Sequence, residues 1–204
     1  MTEPFSLVLL GLRVRGLASA AAVAEVAGLA VSVVVGHLEH CRRNDWATFR
    51  DGRLAGWALT PLGRVEGERR LAEELDALGA RSRVEADYGR FLALNATLLQ
   101  VCAFWQLREG EWPNDHSDAA YDAAVLRCLI AFHNCALPLV GHLGDSVPRL
   151  QPYVGRIEAA LAHVVAGDVD WFTGVRPDSY HMVWFELHEN LLATLGRARS
   201  AEGV

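Results

Sequence analysis

The chain has 204 residues, 51% hydrophobic and 22% charged. That composition is too apolar for a disordered or collagen-like protein and long enough for one or two domains with real cores. The formal net charge is −6, from 19 basic and 25 acidic residues, so any binding to nucleic acid must come from a local basic patch and not from the overall field. The bases are all arginine and unevenly spread: residues 1–70 carry nine against seven acids, and residues 71–204 carry ten against eighteen.

The longest nearly apolar stretch, Ala20 to Val35, contains Glu25 and Gly28 and is shorter than the roughly 20 residues a membrane-crossing helix needs. The N-terminus, MTEPFSLVLLGLRVRG, has its acid before the apolar run and its arginines after it, the reverse of a secretory signal. No membrane association is expected. Cys41, Cys102, Cys128 and Cys135 form no CxxC pair and read as small buried hydrophobes in a reducing, cytoplasmic location.

Phe5 to Arg15 predicts a first helix, broken by Gly16. Ser19 is a suitable N-cap for a second, running through Val23 and Val26 to Gly28. A third starts near Val31; Val34, Leu38 and Cys41 stand at i, i+4 and i+7 on one face, while His37, His40, Arg42 and Arg43 point elsewhere. After Trp46 the pattern becomes extended: ATFR, Asp51-Gly52, then RLAGWALT. This predicts a hairpin with a type I′ turn, which requires positive φ at both central residues. Thr60 and Pro61 read as the N-cap and first position of a long helix through Leu71, Leu75 and Leu78.

From Arg83 onward the pattern is helical. YGRFLALNATLLQVCAFWQLRE is one helix and EWPNDHSDAAYD a turn; AAVLRCLIAFHNCALPLVGHL, capped by Asp118 or Ser117, is a helix reaching Pro138 or shortly beyond. Tyr153 to Val165 is another, and a last one begins at Asp178 or Ser179, followed by a frayed tail, RARSAEGV. The fold class is therefore mainly α with a small β-hairpin, residues 1–78 forming one domain and residues 79–204 an all-α second.

On the last helix, with His181 placed at 0°, Val183, Trp184, Phe185, Leu187, Leu191, Leu192 and Leu195 fill an arc from about 200° through 0° to about 40°. His181 and His188 fall inside it; Glu186, Glu189 and Asn190 lie opposite and are expected to be solvated or paired at an interface. Two histidines on an apolar face each require a partner. Either they are core histidines bonded to Asn95, Asp115 or Asp118, or they line a small-ligand pocket with Trp105, His116 and Trp184, since such pockets combine aromatic walls with a few convergent polar groups. The polar turn Asn114 to Ser117, and a second cluster of Arg176, Asp178 and Tyr180, are further sources of polarity, although capping and turn chemistry explains Asn114 and Ser117.

The i, i+7 histidines are about 10 Å apart along the helix, too far for one zinc, and HEN is not HExxH. GxSxG, GxxxxGK[ST] and a strand-borne GxGxxG are absent from the sequence. No metal, no cofactor and no enzymatic activity are expected.

The order helix, helix, turn, helix, hairpin, helix, carried by VAEVAGLAVSVVVGHLEHC and FRDGRLAGWALTPLGR, resembles the winged helix-turn-helix of MarR-like bacterial transcriptional regulators over roughly the first 75 residues. The remainder is similar, with less specific motifs, to the helical region accompanying such modules in actinobacterial regulators. The resemblance implies a third helix in the major groove of double-stranded DNA and wing arginines on phosphate or in the minor groove. It selects Ser32, His37, His40, Arg42, Arg43, Arg50, Arg53 and Arg64 as DNA-binding candidates, with phosphate contacts from Arg69 and Arg70. Val33, Val35 and Gly36 offer no hydrogen bonds to base edges; they either pack on thymine methyls or bind protein. The implied function is a homodimeric regulator whose operator binding responds to a small ligand in the helical domain. The alternative is a winged-helix protein-interaction module without DNA affinity.

Overall fold

A computed structural model describes residues 2–108, 110–175 and 178–198. The chain is mainly helical and divides into two compact units, Met1–Arg81 with His188–Val204, and Ser82–Leu187. The boundary read from sequence, after residue 78, keeps the C-terminal stretch continuous; in the structure the last turns of the final helix join the N-terminal unit.

In the first unit, helices α1 (Pro4–Arg15), α2 (Ala20–Ala27) and α3 (Val31–Arg43) precede strands β1 (Ala47–Arg50) and β2 (Gly56–Leu59) and helix α4 (Pro61–Ala77). The two N-caps are local chemistry: Ser19 Oγ accepts from Ala22 N at 3.2 Å, and Thr60 Oγ1 from Gly63 N at 3.0 Å, with Pro61 at the first helical position. Val8, Leu9, Leu12, Val23, Val34 and Leu38 meet in one apolar core, burying the predicted face of α3 with Cys41. Leu10 and Leu71 pack with Ala193 of the final helix.

The hairpin departs from the Asp-Gly expectation. Arg50 pairs with Gly56 and Phe49 with Trp57, so residues 51–55 form a loop of five, in which Gly52 alone has positive φ, at 111°. A two-residue turn would have put Arg53 opposite Arg50. The observed register instead brings the Phe49 and Trp57 rings to 5.3 Å and lets Trp57 exchange backbone hydrogen bonds with Ala18 at 2.7 and 3.0 Å. Cross-strand and long-range pairing outweigh the local turn preference here.

The second unit contains most of α5 (Arg81–Gln106), a two-residue ladder of β3 (Leu107–Arg108) with β4 (Trp112–Pro113), α6 (Ala119–Ser146), a short 3₁₀ turn, α7 (Pro152–Val165), the single turn α8 (Asp170–Thr173) and the start of α9 (Tyr180–Leu195). The small ladder corrects the all-α reading. Asp118 caps α6, accepting from Ala120 N and Tyr121 N, both at 3.1 Å. The helix continues eight residues past Pro138. Pro138 and Asn134, whose carbonyl the proline leaves without a helical donor, are both on the exposed side, where solvent can reach the helix backbone.

By length and composition α6 could cross a membrane, with an 18-residue window of mean hydropathy 1.7; Val125, Leu129, Phe132, Ala136 and Val140 form its buried stripe. Two cysteines also differ from expectation: Cys41 and Cys102 are buried, their thiols pushed up to about 12 by desolvation, whereas Cys128 and Cys135 are exposed on α6.

On the polar side of α9 pairing replaces solvation, and Glu186 and Asn190 are buried, 1% and 3% exposed. Arg156 of α7 lies 2.8 Å from Glu186 and 2.9 Å from Asp178. A helical wheel records polarity, but the opposite charge that makes burial tolerable comes from another element. Asp178 and Tyr180 are therefore engaged elsewhere than in the expected cluster, and Arg176 lies outside the described residues.

Two stability measurements test this account. A Cβ at Gly63 would sit 1.8 Å from the Trp46 carbonyl oxygen, against an ordinary 3.5 Å to Leu9 at Gly67. Gly63→Ala is expected to lower unfolding stability by about 3 kcal/mol, and Gly67→Ala to raise it by about 0.5–1 kcal/mol, both read by urea denaturation. In the second unit buried His133 meets the Tyr180 hydroxyl at 3.2 Å, and desolvation holds its imidazole below the ordinary 6.5, against the pull of the Glu158 carboxylate. Unfolding therefore takes up a proton: the stabilisation is present above pH 6.5 and lost as pH falls through the lowered native value. His133→Gln should flatten the decline in stability between pH 7 and pH 5.

Candidate functional site

Two places gather the residues singled out from sequence. The first is the outer side of α3 with the hairpin loop. Residues 28–30 link α2 to α3, with Gly28 in the left-handed region at φ 64°, and α3 turns from α2 by 109°. The buried row Val34, Leu38 and Cys41 turns the opposite face of α3 outward. On it Ser32 and Gly36 are exposed, flanked by Val33 and Val35 at 44% and 43%, while Val31, 48% exposed, opens the helix beside the buried row.

Toward the end of α3 the side chains become polar and braced. Phe5 meets the His37 and His40 rings edge-on, with centroids at 5.7 and 5.4 Å, and the Arg70 guanidinium lies 4.6 Å above the same Phe5 ring. His37 is half-buried and His40 exposed. Arg42 pairs with Glu39 at 2.9 Å, and Arg43 Nε donates to the Glu39 carbonyl at 3.4 Å.

Arg50 at the end of β1, Arg53 in the loop and Arg64 on α4 are exposed, with no carboxylate partner among the described residues. Arg69 and Arg70 differ: both pair with Glu66, and their guanidinium groups, Arg69 first, hold its carboxyl down at about 2. Arg69 also pairs with Glu73 and Arg70 with Glu3, so these two arginines already have acidic partners.

The second place is a cleft of about 290 Å³ within the Ser82–Leu187 unit, whose lining includes Trp105, Asn114, His116, Asp170 and Thr173. The β3–β4 hairpin carries Asn114 and His116 back over α5. Arg108 anchors it, pairing with Asp118 at 2.8 Å and covering the Tyr121 ring at 4.7 Å, while the Tyr121 hydroxyl donates to the Phe104 carbonyl at 2.8 Å. Asn114 is buried; its Nδ2 donates to the Trp105 carbonyl at 3.1 Å and to Asp122 Oδ1 at 2.9 Å. His116, at φ 59°, sets Nδ1 3.0 Å from Asp122 Oδ2 and its ring 4.7 Å from Trp105. The result is an imidazole oriented by a carboxylate at the wall of an indole-floored cleft.

Of the five proposed pocket residues, Trp105 and His116 therefore come together. Trp184 fills the core of the same unit, stacked on Phe91 at 4.4 Å and donating through Nε1 to Asn95 Oδ1 at 3.0 Å. His181 is half-buried on α9, and His188, 2% exposed, belongs to the other unit. The side chains expected to satisfy these histidines have other duties: Asn95 Oδ1 receives Trp184, Asp115 holds Ser117, and Asp118 caps α6. Sequence reasoning missed Asp122, Asp170 and Thr173. Asp122 had one local signal, an acid in the first turn of a helix; the others reach the cleft only through the fold. Among the described residues no group of histidine, cysteine and acidic side chains is arranged to hold a metal ion.

The sequence matches no protein-family model, and neither the curated proteins nor the solved structures contain a match to it.

The Asn114 network has a measurable weight. Asn114→Ala removes both donated hydrogen bonds, the one to the Trp105 carbonyl buried and the one to Asp122 part-buried, and should lower unfolding stability by about 1–3 kcal/mol, measured by denaturant titration at pH 7.

Proposed function

We propose that this chain is a DNA-binding transcriptional regulator, its N-terminal unit a winged helix-turn-helix of the MarR-like kind with α3 as recognition helix and the β1–β2 hairpin as wing. One observation carries the reading. Two helices joined by three residues and crossing at 109°, within the 90–120° of DNA-binding helix pairs, belong to the same unit as a hairpin bearing two uncompensated arginines.

The electrostatics support it. The whole molecule is anionic, yet among the described residues Arg50, Arg53 and Arg64 make no ion pair with a carboxylate, so they are open to a polyanion. Operators read by such modules are commonly two-fold, so the active form is a homodimer. The cleft beside Trp105 and His116 is the place in the helical unit where a small effector would bind.

A second reading is favoured by the three exposed valines on α3, which suit a protein surface as well as a groove: a winged-helix module that binds protein and has no DNA affinity. Salt separates the two. With duplex DNA from the gene's own upstream region, the native protein should lose affinity steeply between 50 and 200 mM salt. Arg50→Ala/Arg53→Ala should weaken binding at low salt for all sequences alike and reduce the slope of log K against log[salt] by about 2. Absence of binding at low salt by the native protein selects the second reading.

A further inference from the structure

The outer face of α3 has a composition that neither the core nor the arginines explain. Taking Val34 at 0°, the buried Leu38 and Cys41 lie at about 40° and 340°; Ser32 and Gly36 lie at about 160° and 200°, directly outward, with Val35 at about 100° and Val33 at about 260° on either side. Gly36 lies in the first half of that face; further along, Glu39 at about 140°, paired with Arg42, and Arg43 at about 180° share it. The Gly36 backbone is ordinary helix, and a Cβ there would meet no atom within 4 Å, so neither a turn nor internal packing requires glycine. A helix-interior glycine is nevertheless destabilising by roughly 1 kcal/mol relative to alanine. An open glycine flanked by two exposed valines describes a shallow apolar seat that a flat partner approaches to backbone distance.

We infer that this seat reads the C5-methyl groups of thymine in the major groove, with Val33 and Val35 as the specificity-determining contacts and Gly36 permitting the close approach. The inference rests on the DNA-binding reading above. Valine has no hydrogen-bonding group, so it cannot distinguish donors from acceptors on base edges; the feature of the major groove it can select is the methyl group that thymine alone among the four DNA bases carries. Ser32, the one polar side chain in the first turn and a half of α3, bonds to any base and adds no competing preference. Charge favours DNA over protein as the occupant, because Arg50, Arg53 and Arg64 of the same unit have no acidic partner among the described residues. Preferred sites should be rich in thymine where α3 enters.

The test uses the whole 204-residue chain and a duplex recovered by selection from a random pool, resynthesised with deoxyuridine in place of each thymine. This exchange removes methyl groups and leaves the base-pairing pattern intact. Affinity should fall about fourfold for each methyl group that loses its contact. Val33→Ala/Val35→Ala should bind the thymine duplex as weakly as native protein binds the uracil duplex, and should no longer distinguish the two. Gly36→Leu should raise the thermal midpoint while lowering affinity at least tenfold, which separates loss of approach from loss of folding. Arg50→Ala/Arg53→Ala should weaken both duplexes by the same factor. Equal native affinity for thymine and uracil duplexes, with salt-sensitive binding retained, overturns methyl readout and leaves the regulator reading standing. Failure of selection to recover any duplex bound in a salt-sensitive manner overturns both.

Discussion

The hydrogen-bonded bridge between Ala18 and Trp57 is the constraint on which the N-terminal unit's working surface depends. Isolated two-stranded hairpins are marginal in water, and β1–β2 has only four paired positions. The two bonds to Ala18, in the link between α1 and α2, supply a third edge, and Gly56 lets it close up: a Cβ there would stand 3.1 Å from the Ala18 carbonyl oxygen. Trp57 and Ala18 also enter the core that buries Val34 and Leu38 of α3. Hairpin and helix are thus fastened to one apolar centre, and what projects from it is the loop with Arg53 and Leu54, the latter 76% exposed.

Features set by neighbouring residues were legible in the sequence. Ser19 and Thr60-Pro61 cap their helices through bonds spanning three residues, Gly28 ends α2 because it tolerates the left-handed region, and the Val34, Leu38, Cys41 stripe follows from helical spacing alone. The hairpin register was not legible, because it is decided by Ala18, far back along the chain, against a local Asp-Gly preference. Whether Glu186 is solvated or paired is left open by the sequence for the same reason: its counter-charge, Arg156, sits thirty residues earlier on another helix. The candidate site divides along the same line. The exposed arginines and the valine face could be read from pattern, and Trp105 and His116 from clustering. Asp170 and Thr173 arrive from a single helical turn that has no periodicity to announce it.

The second unit holds more polar interior than its apolar composition suggests. His133 with Tyr180, Trp184 with Asn95, Arg156 with Asp178 and Glu186, and Asn114 with Asp122 each match donor to acceptor or charge to charge across separate elements. Such pairs contribute little net stability over apolar packing, yet a mispaired arrangement leaves a buried group unsatisfied, so they favour one arrangement over its near neighbours. The cleft beside His116 borders this network. A ligand contacting its imidazole would meet a ring whose other nitrogen already faces Asp122, so its orientation is set before binding.

Exposed valines and uncompensated arginines in one compact unit impose opposite requirements on a partner. An apolar protein surface would satisfy Val31, Val33 and Val35 but strand any guanidinium that it covered, whereas an acidic surface would do the reverse. The major groove of DNA reconciles them in a single object: phosphates along both rims accept arginine, and the floor presents methyl groups wherever thymine occurs. On the DNA-binding proposal, a bare backbone at Gly36 would let the helix sit deep enough for short valine side chains to reach that floor. The same glycine would be wasteful on a helix meant to dock with another protein, where a larger side chain would bury more area. The pairing of charge at the edge with small apolar groups at the centre is what favours a groove over a flat apolar face.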